Sequence, residues 1–460
     1  MTGSAAGNGQ VTIDAASTSV FPKFLDRAYP SIDRGEGVWL YTTGGRRILD
    51  AVSGGAMTAG LGHGVGEIPD AAQAAMGDIA YYYAHHFTNR PQEQLAARLV
   101  EIAPEMAKVR FLSGGSEANE TALRLARQYH VDRGDDRRWR VVSPAQAYHG
   151  GTMATVALTG RPTFQAPFGP YLVEHLHIPP STARFDPTGR AALDALDDAI
   201  EQAGPESVSA FICEPVSGAS LPGYSPPDRF WEGLAERRDQ YGFLVCFDEV
   251  VTGMGRTGGW FAYQGMPITP DIVTIGKMLG GGYMPLAATM CRQPVYDVLA
   301  SGSKEFDLGH TWDGAPLSCA VGLAVLDYME RHDVAGLAAE RGPALVDRLR
   351  AALDGYAIVG EVRGRGFLLG VEYVDPRDGA SIPPDWLGIA ERIDACALEN
   401  DLLVMSTHPN ADGYAGDQTV FAPALTSTDE ELAEMIERFA RVVAEVDRTV
   451  TDSLANGGTT

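Results

Sequence analysis

The sequence contains very little lysine. Lysine and arginine together supply 36 of its 460 residues, but lysine occurs only at Lys23, Lys108, Lys277 and Lys304. Acidic residues number 60, which gives a formal net charge of −24. A surface of that charge repels the phosphates of nucleic acids and of anionic membranes, so we expect neither as a partner. Any chemistry that depends on a lysine amine has few candidate residues here.

Cysteine and long apolar segments are scarce as well. The scattered cysteines favour reduced, buried thiols and argue against a disulfide framework or a zinc site. No segment approaches the roughly 20 apolar residues of a membrane span. The N-terminal stretch MTGSAAGNGQ lacks the basic and apolar regions of a signal peptide. We therefore expect a cytoplasmic protein with no metal site. The cysteines are Cys213, Cys246, Cys291, Cys319 and Cys396.

Apolar, β-rich segments alternate with helical patterns through the middle of the chain. The strand-like segments are residues 108–112, 139–143, 209–216, 243–250 and 271–276. This alternation predicts an α/β domain with a mostly parallel sheet covered by helices. After about residue 325, long helices and short strands predict a smaller α+β domain, on which the N-terminal segment 38–55 packs.

The same patterns suggest domain boundaries. We assign residues 61–325 to the large domain, and residues 21–60 and 326–450 to the N-terminal and C-terminal parts of the small domain. The polar, glycine-containing ends of the chain, residues 1–20 and 451–460, are predicted to be disordered tails.

Several predicted strands end in chemically unusual residues. The strand ends carry SGGSEANE, QAYHGG, EPVSGAS, DEVVTG and KMLGGGYMP. In open α/β sheets, ligands bind beyond the carboxyl ends of the strands. Five such ends on one sheet therefore predict one shared site.

The segment SGGSEANETALRLAR has the features of an anion-binding loop. Its glycines allow close approach of the backbone, and the free N–H groups of the following helix, with the Ser116 hydroxyl, can hold a phosphate. The simpler interpretation is that Ser116 only caps the helix and the glycines only form a turn. No Gly-Lys-Ser/Thr follows, so the segment is not a nucleotide P-loop.

Lys277 and Asp248 suggest what that phosphate belongs to. A lysine in an apolar pocket has a depressed pKa and can form a Schiff base with an aldehyde. An aspartate held against a pyridine nitrogen keeps it protonated. These demands, with the phosphate, match pyridoxal 5′-phosphate. Tyr148 could stack on one ring face, Val250 could press on the other, and Glu214 could orient that end of the site. Alternatively, Lys277 and Glu214 are ordinary strand-end charges and Tyr148 a half-buried tyrosine.

From about residue 30 to about 445 the sequence resembles the class III, or ω-type, aminotransferases of PLP fold type I. The resemblance is carried by SGGSEANE, YHGGTMATVALTG, CEPVSG, FDEVVTGMGRTG, PDIVTIGKMLGGGYMPLAATM and GHTWDGAPLSCA, in the family's order. It implies a mostly parallel seven-stranded sheet in a large domain, with a smaller α+β domain formed from both chain ends. It also implies the cofactor pyridoxal 5′-phosphate and a homodimer.

The resemblance further implies roles for individual residues. Lys277 would form the Schiff base with the cofactor and later shuttle the proton, while Asp248 pairs with the ring nitrogen. Thr311, in GHTW, would reach the phosphate of the neighbouring subunit. The remaining cofactor-binding residues implied are Gly115, Ser116, Tyr148, His149, Glu214 and Val250.

The sequence departs from the family's pattern around the substrate. Val251 stands where many members have Gln, and Ala219 where ornithine and γ-aminobutyrate enzymes have Glu. No Arg precedes the APAL segment, where members often bind an oxo acid's carboxylate. Met57 leaves room where amine-type relatives often carry Trp, which favours a roomy apolar pocket. His86 is a further pocket candidate, although it could equally pack a helix end.

We therefore expect a transaminase that moves an amino group from an amine or ω-amino compound to an oxo acid by a ping-pong mechanism. The missing arginine keeps open another reaction of the same cofactor: that of a racemase, aminomutase, decarboxylase or phospho-lyase. A cofactor-sensing regulator carries little weight, since the short N-terminal segment shows no basic DNA-binding module.

Overall fold

The fold is described from a computed structural model that covers residues 5–6, 10–409 and 413–455. The strands are β1 (Ala5–Ala6), β2 (Gln10–Asp14), β3 (Ala28–Pro30), β4 (Ile32–Glu36), β5 (Trp39–Thr42), β6 (Arg47–Asp50), β7 (Lys108–Leu112), β8 (Arg140–Pro144), β9 (Leu176–Ile178), β10 (Val208–Cys213), β11 (Leu244–Asp248), β12 (Ile272–Ile275), β13 (Ala287–Cys291), β14 (Val359–Arg365), β15 (Leu368–Tyr373), β16 (Leu402–Leu403), β17 (Met405–Thr407) and β18 (Gln418–Phe421).

Helices separate most of these strands. They are α1 (Glu67–Asp78), α2 (Arg90–Ile102), α3 (Gly115–Asp132), α4 (Met153–Leu158), α5 (Pro162–Gln165), α6 (Arg190–Ala203), α7 (Asp228–Tyr241), α8 (Gln293–Ser301), α9 (Pro316–Arg331), α10 (Val334–Leu353), α11 (Ile389–Glu399) and α12 (Asp429–Ala455). Within the described residues, no helix has both the length and the apolar character needed to cross a membrane.

The central sheet has seven strands in the order β7-β13-β12-β11-β10-β8-β9. The pairs from β12 through β9 are parallel, whereas β13 runs antiparallel to both of its neighbours. The prediction of a mostly parallel seven-stranded sheet is confirmed. The segments predicted as strands coincide with β7, β8, β10, β11 and β12 within a few residues. The sequence analysis did not predict β13. Residues 276–286 connect it to β12 as a loop with one short helical turn, Lys277–Gly280, and without a crossover helix the chain returns antiparallel.

Two four-stranded sheets lie outside the central one. One has the order β14-β15-β18-β17, and the other joins β16 from the C-terminal half to β6, β5 and β4 from the N-terminal half. Leu402 pairs in parallel with Leu49, so the two ends of the chain share a sheet. This arrangement agrees with the expected packing of segment 38–55, while the numerical domain boundaries stay a prediction.

The chain ends differ from the predicted tails where the structure describes them. The strand β2 lies within the predicted tail 1–20 and pairs antiparallel with β3. At the other end, α12 continues to Ala455, within the predicted tail 451–460. The amphipathic spacing of α12 extends to the predicted boundary, where Val450 is still buried. The rest of both predicted tails, residues 1–4, 7–9 and 456–460, lies outside the described residues.

Candidate active site

The carboxyl ends of the central strands open into one cavity of about 640 Å³. Each of the five predicted strand-end segments contributes to its wall, as expected where parallel strands end at the same edge of a sheet. The predicted site residues that line it are Met57, Gly115, Ser116, Tyr148, His149, Glu214, Asp248, Val250 and Lys277.

Asp248, the last residue of β11, is held by three donors. Its Oδ2 accepts hydrogen bonds from Asn119 Nδ2 at 2.8 Å and His149 Nδ1 at 2.9 Å, and its Oδ1 accepts from the Val250 N–H at 3.1 Å. Asp248 is only 4% exposed. These donors offset the cost of burying the carboxylate and fix its orientation, with His149 in the tautomer that donates from Nδ1.

Asn119 is a site residue that the sequence analysis missed. It lies on α3, donates to both Asp248 and the His149 carbonyl, and accepts from Thr274 Oγ1 at 2.7 Å. Because the Asp248 carboxylate and the His149 carbonyl can only accept, the nitrogen of the amide must face them. The residue stands inside the quoted motif SGGSEANE, so its position in the sequence could have identified it.

Lys277 lies two residues beyond the end of β12 and lines the cavity. Its φ of 42° places it in the left-handed region, which is uncommon for a residue with a side chain and is frequent at functional sites. Burial lowers the pKa of its amine, while Asp248 and Glu214 act in the opposite direction. A lowered pKa favours the neutral amine, which is the nucleophilic form.

Glu214 and Tyr148 form the next part of the wall. Glu214 accepts from the Gly218 N–H at 2.8 Å and from the Tyr148 N–H at 3.4 Å. Burial, and then the negative charge of Asp248, raise its pKa to about 7. The Tyr148 ring stands edge-on to Phe164, with centroids 6.1 Å apart, and its pKa is raised by burial and by the two acids.

The start of α3 has the geometry of an anion cradle. Gly114 caps this helix without a side-chain hydrogen bond, so the first-turn N–H groups keep their binding capacity. A Cβ on Gly115 would lie 2.8 Å from a Val250 methyl, and one on Gly150 would lie 2.4 Å from Ser116 Oγ. The glycines therefore permit a packing that other residues would block, and they keep the cradle open.

Taken together, these groups fit pyridoxal 5′-phosphate on chemical grounds. The cradle suits a phosphate, a lysine of lowered pKa suits an aldehyde, and an oriented buried carboxylate suits a protonated ring nitrogen. In addition, His149 Nε2 is buried and has no hydrogen-bond partner among the described residues. A buried ring nitrogen of that kind is available to a bound polar group.

The two predicted substrate-pocket residues, Met57 and His86, lie in different places in the structure. Met57 is 2% exposed and lines the cavity, together with Ala219 and Val251, which gives that side an apolar wall. His86 is exposed, packs edge-on against Tyr83 at 5.3 Å between ring centroids, and does not line the cavity of this chain.

Thr311 also lies outside the cavity of its own chain and is exposed. Its neighbour His310 has Nε2 3.5 Å from Glu117 Oε1 in the first turn of α3. Residues 310–311 thus lie beside the anion cradle without closing it.

Other wall residues come from segments that the sequence analysis did not connect to the site. They are Arg161 and Phe164 around α5, the β17 strand, and Lys23 from the N-terminal segment. No spacing in the sequence relates these segments to the five strand ends. Their proximity arises from the tertiary arrangement of the smaller sheets beside the central one.

Comparisons with known proteins give a consistent result. The sequence model of the family Aminotransferase class-III matches residues 24–443. The diaminobutyrate–2-oxoglutarate transaminase of Halomonas elongata is 34% identical over 453 residues, covering 93% of this chain and 92% of that protein. The structure of an (S)-enantioselective omega-transaminase from Thermomicrobium roseum has a TM-score of 0.87 at 32% identity, covering 94% of this chain and 97% of that chain. The omega transaminase of Pseudomonas jessenii in complex with PMP has a TM-score of 0.85 at 31% identity, covering 94% and 95%.

Proposed function

Because the chain belongs to the class III aminotransferases, which use pyridoxal 5′-phosphate, we propose a specific reaction for it. It moves an amino group from an amine or ω-amino compound to an oxo acid, pyruvate or 2-oxoglutarate, by a ping-pong mechanism. The observation that carries this proposal is that Lys277 and Asp248 face one cavity beside the anion cradle of α3. The acceptor named for the Halomonas relative, 2-oxoglutarate, supports an oxo acid in that role.

In this proposal, Lys277 and Asp248 are the catalytic residues. When bound, pyridoxal phosphate supplies an aldehyde that condenses with amines and a ring that withdraws electrons. Lys277 Nζ, whose pKa is lowered by burial, would hold the cofactor covalently, and once an amine has displaced it would accept the proton from the donor's carbon and release it again. Asp248 would keep the ring nitrogen protonated, and its donors Asn119 and His149 hold the carboxylate in position for this.

The remaining site residues bind and orient. Gly115 and Ser116 hold the phosphate at the start of α3, where the helix dipole favours an anion. Tyr148 and Val250, which both line the cavity, would enclose the ring from its two faces. Glu214 orients the Tyr148 segment through the Tyr148 N–H. Met57 forms part of the substrate pocket. His86 lies outside the cavity of its own chain, so it belongs to a pocket only if the homodimer brings it to the partner's site.

We further propose a homodimer in which Thr311 reaches the phosphate of the neighbouring site. The exposed position of Thr311 supports this, as do large exposed aromatic side chains close to it, including Trp312 at 55% exposure. Tyr81 packs edge-on against Trp312 with centroids 5.9 Å apart, which extends the apolar surface. Exposed patches of this kind usually mark interfaces. Sedimentation should give a dimer, and Thr311→Ala should weaken cofactor binding about tenfold, the loss of one charge-assisted hydrogen bond.

The reaction is tested by half-reactions on the holoenzyme. A panel of amines is added without an acceptor, and the cofactor's absorbance is followed. A transaminase leaves the cofactor in its pyridoxamine form, and addition of pyruvate or 2-oxoglutarate then restores the original spectrum. A racemase or a phospho-lyase would not accumulate that form, whereas a decarboxylase would be marked by release of carbon dioxide and an aminomutase by an isomerised amine product. Lys277→Ala serves as the control, and it should show neither covalent attachment nor turnover.

A further inference from the structure

A group of metal-ligating side chains lies outside the part of the molecule that the proposed function uses. Glu391 is in the first turn of α11, His408 follows β17, and Asp417 directly precedes β18. One potential ligand atom from each of the three lies within 4.8 Å of those of the other two. None of these three residues lines the cavity of Lys277 and Asp248. The group is therefore a separate feature that needs its own explanation.

Asp417 is the buried member of this group. It is 1% exposed, and its Oδ2 accepts a hydrogen bond from the Ala390 N–H at 3.2 Å. Its Oδ1 is buried and has no hydrogen-bond partner among the described residues. A buried carboxylate oxygen without a partner is unfavourable, because burial removes the water that would otherwise solvate it. This carboxylate is therefore available to a bound cation.

The separations within the group suit a shared ion better than direct hydrogen bonds. His408 Nδ1 lies 3.5 Å from Glu391 Oε1 and 3.8 Å from Asp417 Oδ2. Hydrogen bonds between nitrogen and oxygen are usually about 2.7–3.2 Å long. By comparison, neighbouring ligand atoms of a tetrahedral ion with bonds of about 2.1 Å are about 3.4 Å apart. An ion between the three side chains would therefore require only small movements of their ends.

The surrounding charge favours a cation at this position. The group combines two carboxylates with one imidazole, and Asp394 stands one turn beyond Glu391 on α11. Asp394 Oδ1 is likewise buried without a hydrogen-bond partner in the described part of the chain. The start of α11 carries a partial positive charge of about half a unit, which the carboxylates outweigh. Glu391 is exposed and His408 is half-buried, so an ion can reach the group from solvent.

We propose that Glu391, His408 Nδ1 and Asp417 bind one Zn²⁺ ion, with water completing its coordination. Zinc accepts both imidazole nitrogen and carboxylate oxygen, whereas Mg²⁺ and Ca²⁺ prefer oxygen ligands. The sequence analysis predicted no metal site because the cysteines argued against one. This group contains no cysteine, and the spacing of its three members matches no metal-binding motif.

The ion would join segments that lie next to the active site. The His408 carbonyl accepts a hydrogen bond from Arg161 Nη2 at 3.2 Å, and the preceding residues Ser406 and Thr407 line the cavity. Because β17 pairs antiparallel with β18, the ligands that follow β17 and precede β18 lie at one end of this strand pair. We expect Zn²⁺ to stabilise this wall of the cavity without touching the cofactor or the substrate.

Titration of the holoenzyme with ZnCl₂ tests the proposal. The protein is first dialysed against a chelator, and isothermal titration calorimetry then measures binding of Zn²⁺ alone or Mg²⁺ alone. The wild type should bind one Zn²⁺ per chain with a Kd of about 1 µM or below, and Mg²⁺ at least about 100-fold more weakly. Asp417→Asn and His408→Gln should each weaken Zn²⁺ binding about 100-fold. Glu391→Gln should weaken it about tenfold, because Glu391 is the most exposed ligand.

Glu399→Gln is the matched control for Glu391→Gln. Both residues are exposed glutamates of α11, but Glu399 is the last residue of the helix, so its substitution should change the Kd less than about twofold. Hydrogen exchange gives a second measurement, at a Zn²⁺ concentration that saturates the wild type but not Glu391→Gln. Zn²⁺ should slow exchange across β17 and β18 in the wild type and in Glu399→Gln, and have a smaller effect in Glu391→Gln.

Two results would overturn the proposal. One is the absence of Zn²⁺ binding tighter than about 1 mM, which is what a surface of solvated carboxylates alone would give. The other is tight binding that substitution of Glu391, His408 and Asp417 leaves unchanged, which would place the ion elsewhere. Because Glu391 is exposed, Glu391→Gln and its control keep the test decisive if the other two variants fail to fold. None of these measurements depends on turnover, so their outcome is independent of the proposed reaction.

Discussion

Two neighbouring carboxylates at the end of β11, Asp248 and Glu249, are both buried but face different surroundings. Asp248 faces the cavity and is held mainly by side chains, those of Asn119 and His149. Glu249 is fully buried and does not line the cavity. It accepts hydrogen bonds from Thr252 Oγ1 at 2.8 Å, the Ala262 N–H at 2.7 Å and the Tyr263 N–H at 3.0 Å.

The difference shows how one strand end serves both chemistry and structure. Successive side chains of an extended strand point to opposite sides, so adjacent acids reach different environments. Glu249 closes the loop that follows β11 by pairing N–H groups that would otherwise be buried without a partner. Asp248 instead keeps its carboxylate at the cavity. Both side chains are buried, so burial does not distinguish the two roles. The hydrogen-bond donors around each carboxylate, and whether the carboxylate lines the cavity, do distinguish them.

The largest expected effect comes from Asp248→Asn. The amide is nearly isosteric but cannot keep a ring nitrogen protonated, so kcat/KM for any amine donor should fall by about 10³-fold or more. The amide fills the same space and its nitrogen faces only the Val250 N–H, the longest of the three contacts, so the melting temperature should fall by no more than several degrees. Steady-state kinetics and thermal unfolding of the same preparation measure both. An active Asp248→Asn enzyme would remove Asp248 from the catalytic role.

Glu249→Gln should show the opposite pattern. The amide NH₂ would face backbone N–H donors, so at least one buried donor loses its partner, and the unfolding free energy at pH 7 should fall by about 3 kcal/mol. Activity per bound cofactor should remain within a few-fold of the wild type. Denaturant unfolding and titration of bound cofactor test this. A variant of normal stability with strongly reduced turnover would place Glu249 in the chemistry.

Glu249 also makes the stability of the wild type depend on pH, and Glu249→Gln removes that dependence. Burial raises the pKa of Glu249 to about 7 from an ordinary 4.5, with its hydrogen bonds acting in the opposite direction. The folded state therefore holds the proton to higher pH than the unfolded state does. The resulting stabilisation is full below about pH 4.5 and is lost as the pH rises through about 7, by at most about 3 kcal/mol.

Unfolding free energies measured across this pH range should therefore decline more steeply in the wild type than in Glu249→Gln. Glu214, whose pKa is also raised to about 7, is common to both proteins, so its contribution cancels in the difference. Parallel curves for the two proteins would contradict the raised pKa of Glu249.

Much of the fold and part of the site could be predicted from local sequence. An apolar segment such as FLVCF is followed directly in the sequence by polar residues of the site. One short stretch therefore predicts both the strand and the position of those residues at its carboxyl end. The strand β13 was not predicted because its segment, AATMC, carries a weak β pattern and follows a loop instead of a helix.

Arg161 and β17 could not be predicted as neighbours of the site. Thr407 is 246 positions from Arg161 along the chain, and their contact depends on how the small sheets pack against the central one. Asn119, by contrast, lay within a quoted motif. It was overlooked because an asparagine on a helix is ordinary until the helix start is seen to face Asp248.

The smallest predicted effect concerns Asn119, which connects the catalytic and structural sides of the comparison. Asn119→Ala removes one of the two side-chain donors to Asp248 and leaves His149 as the other. Because the carboxylate keeps one side-chain donor and the Val250 N–H, kcat should fall only about tenfold while KM for the amine changes little. Thr274 Oγ1 and the His149 carbonyl also lose their partner, so a stability loss of about 1 kcal/mol should accompany it. A purely structural role would reduce stability without lowering kcat per bound cofactor, and that result would leave His149 as the side chain that positions Asp248.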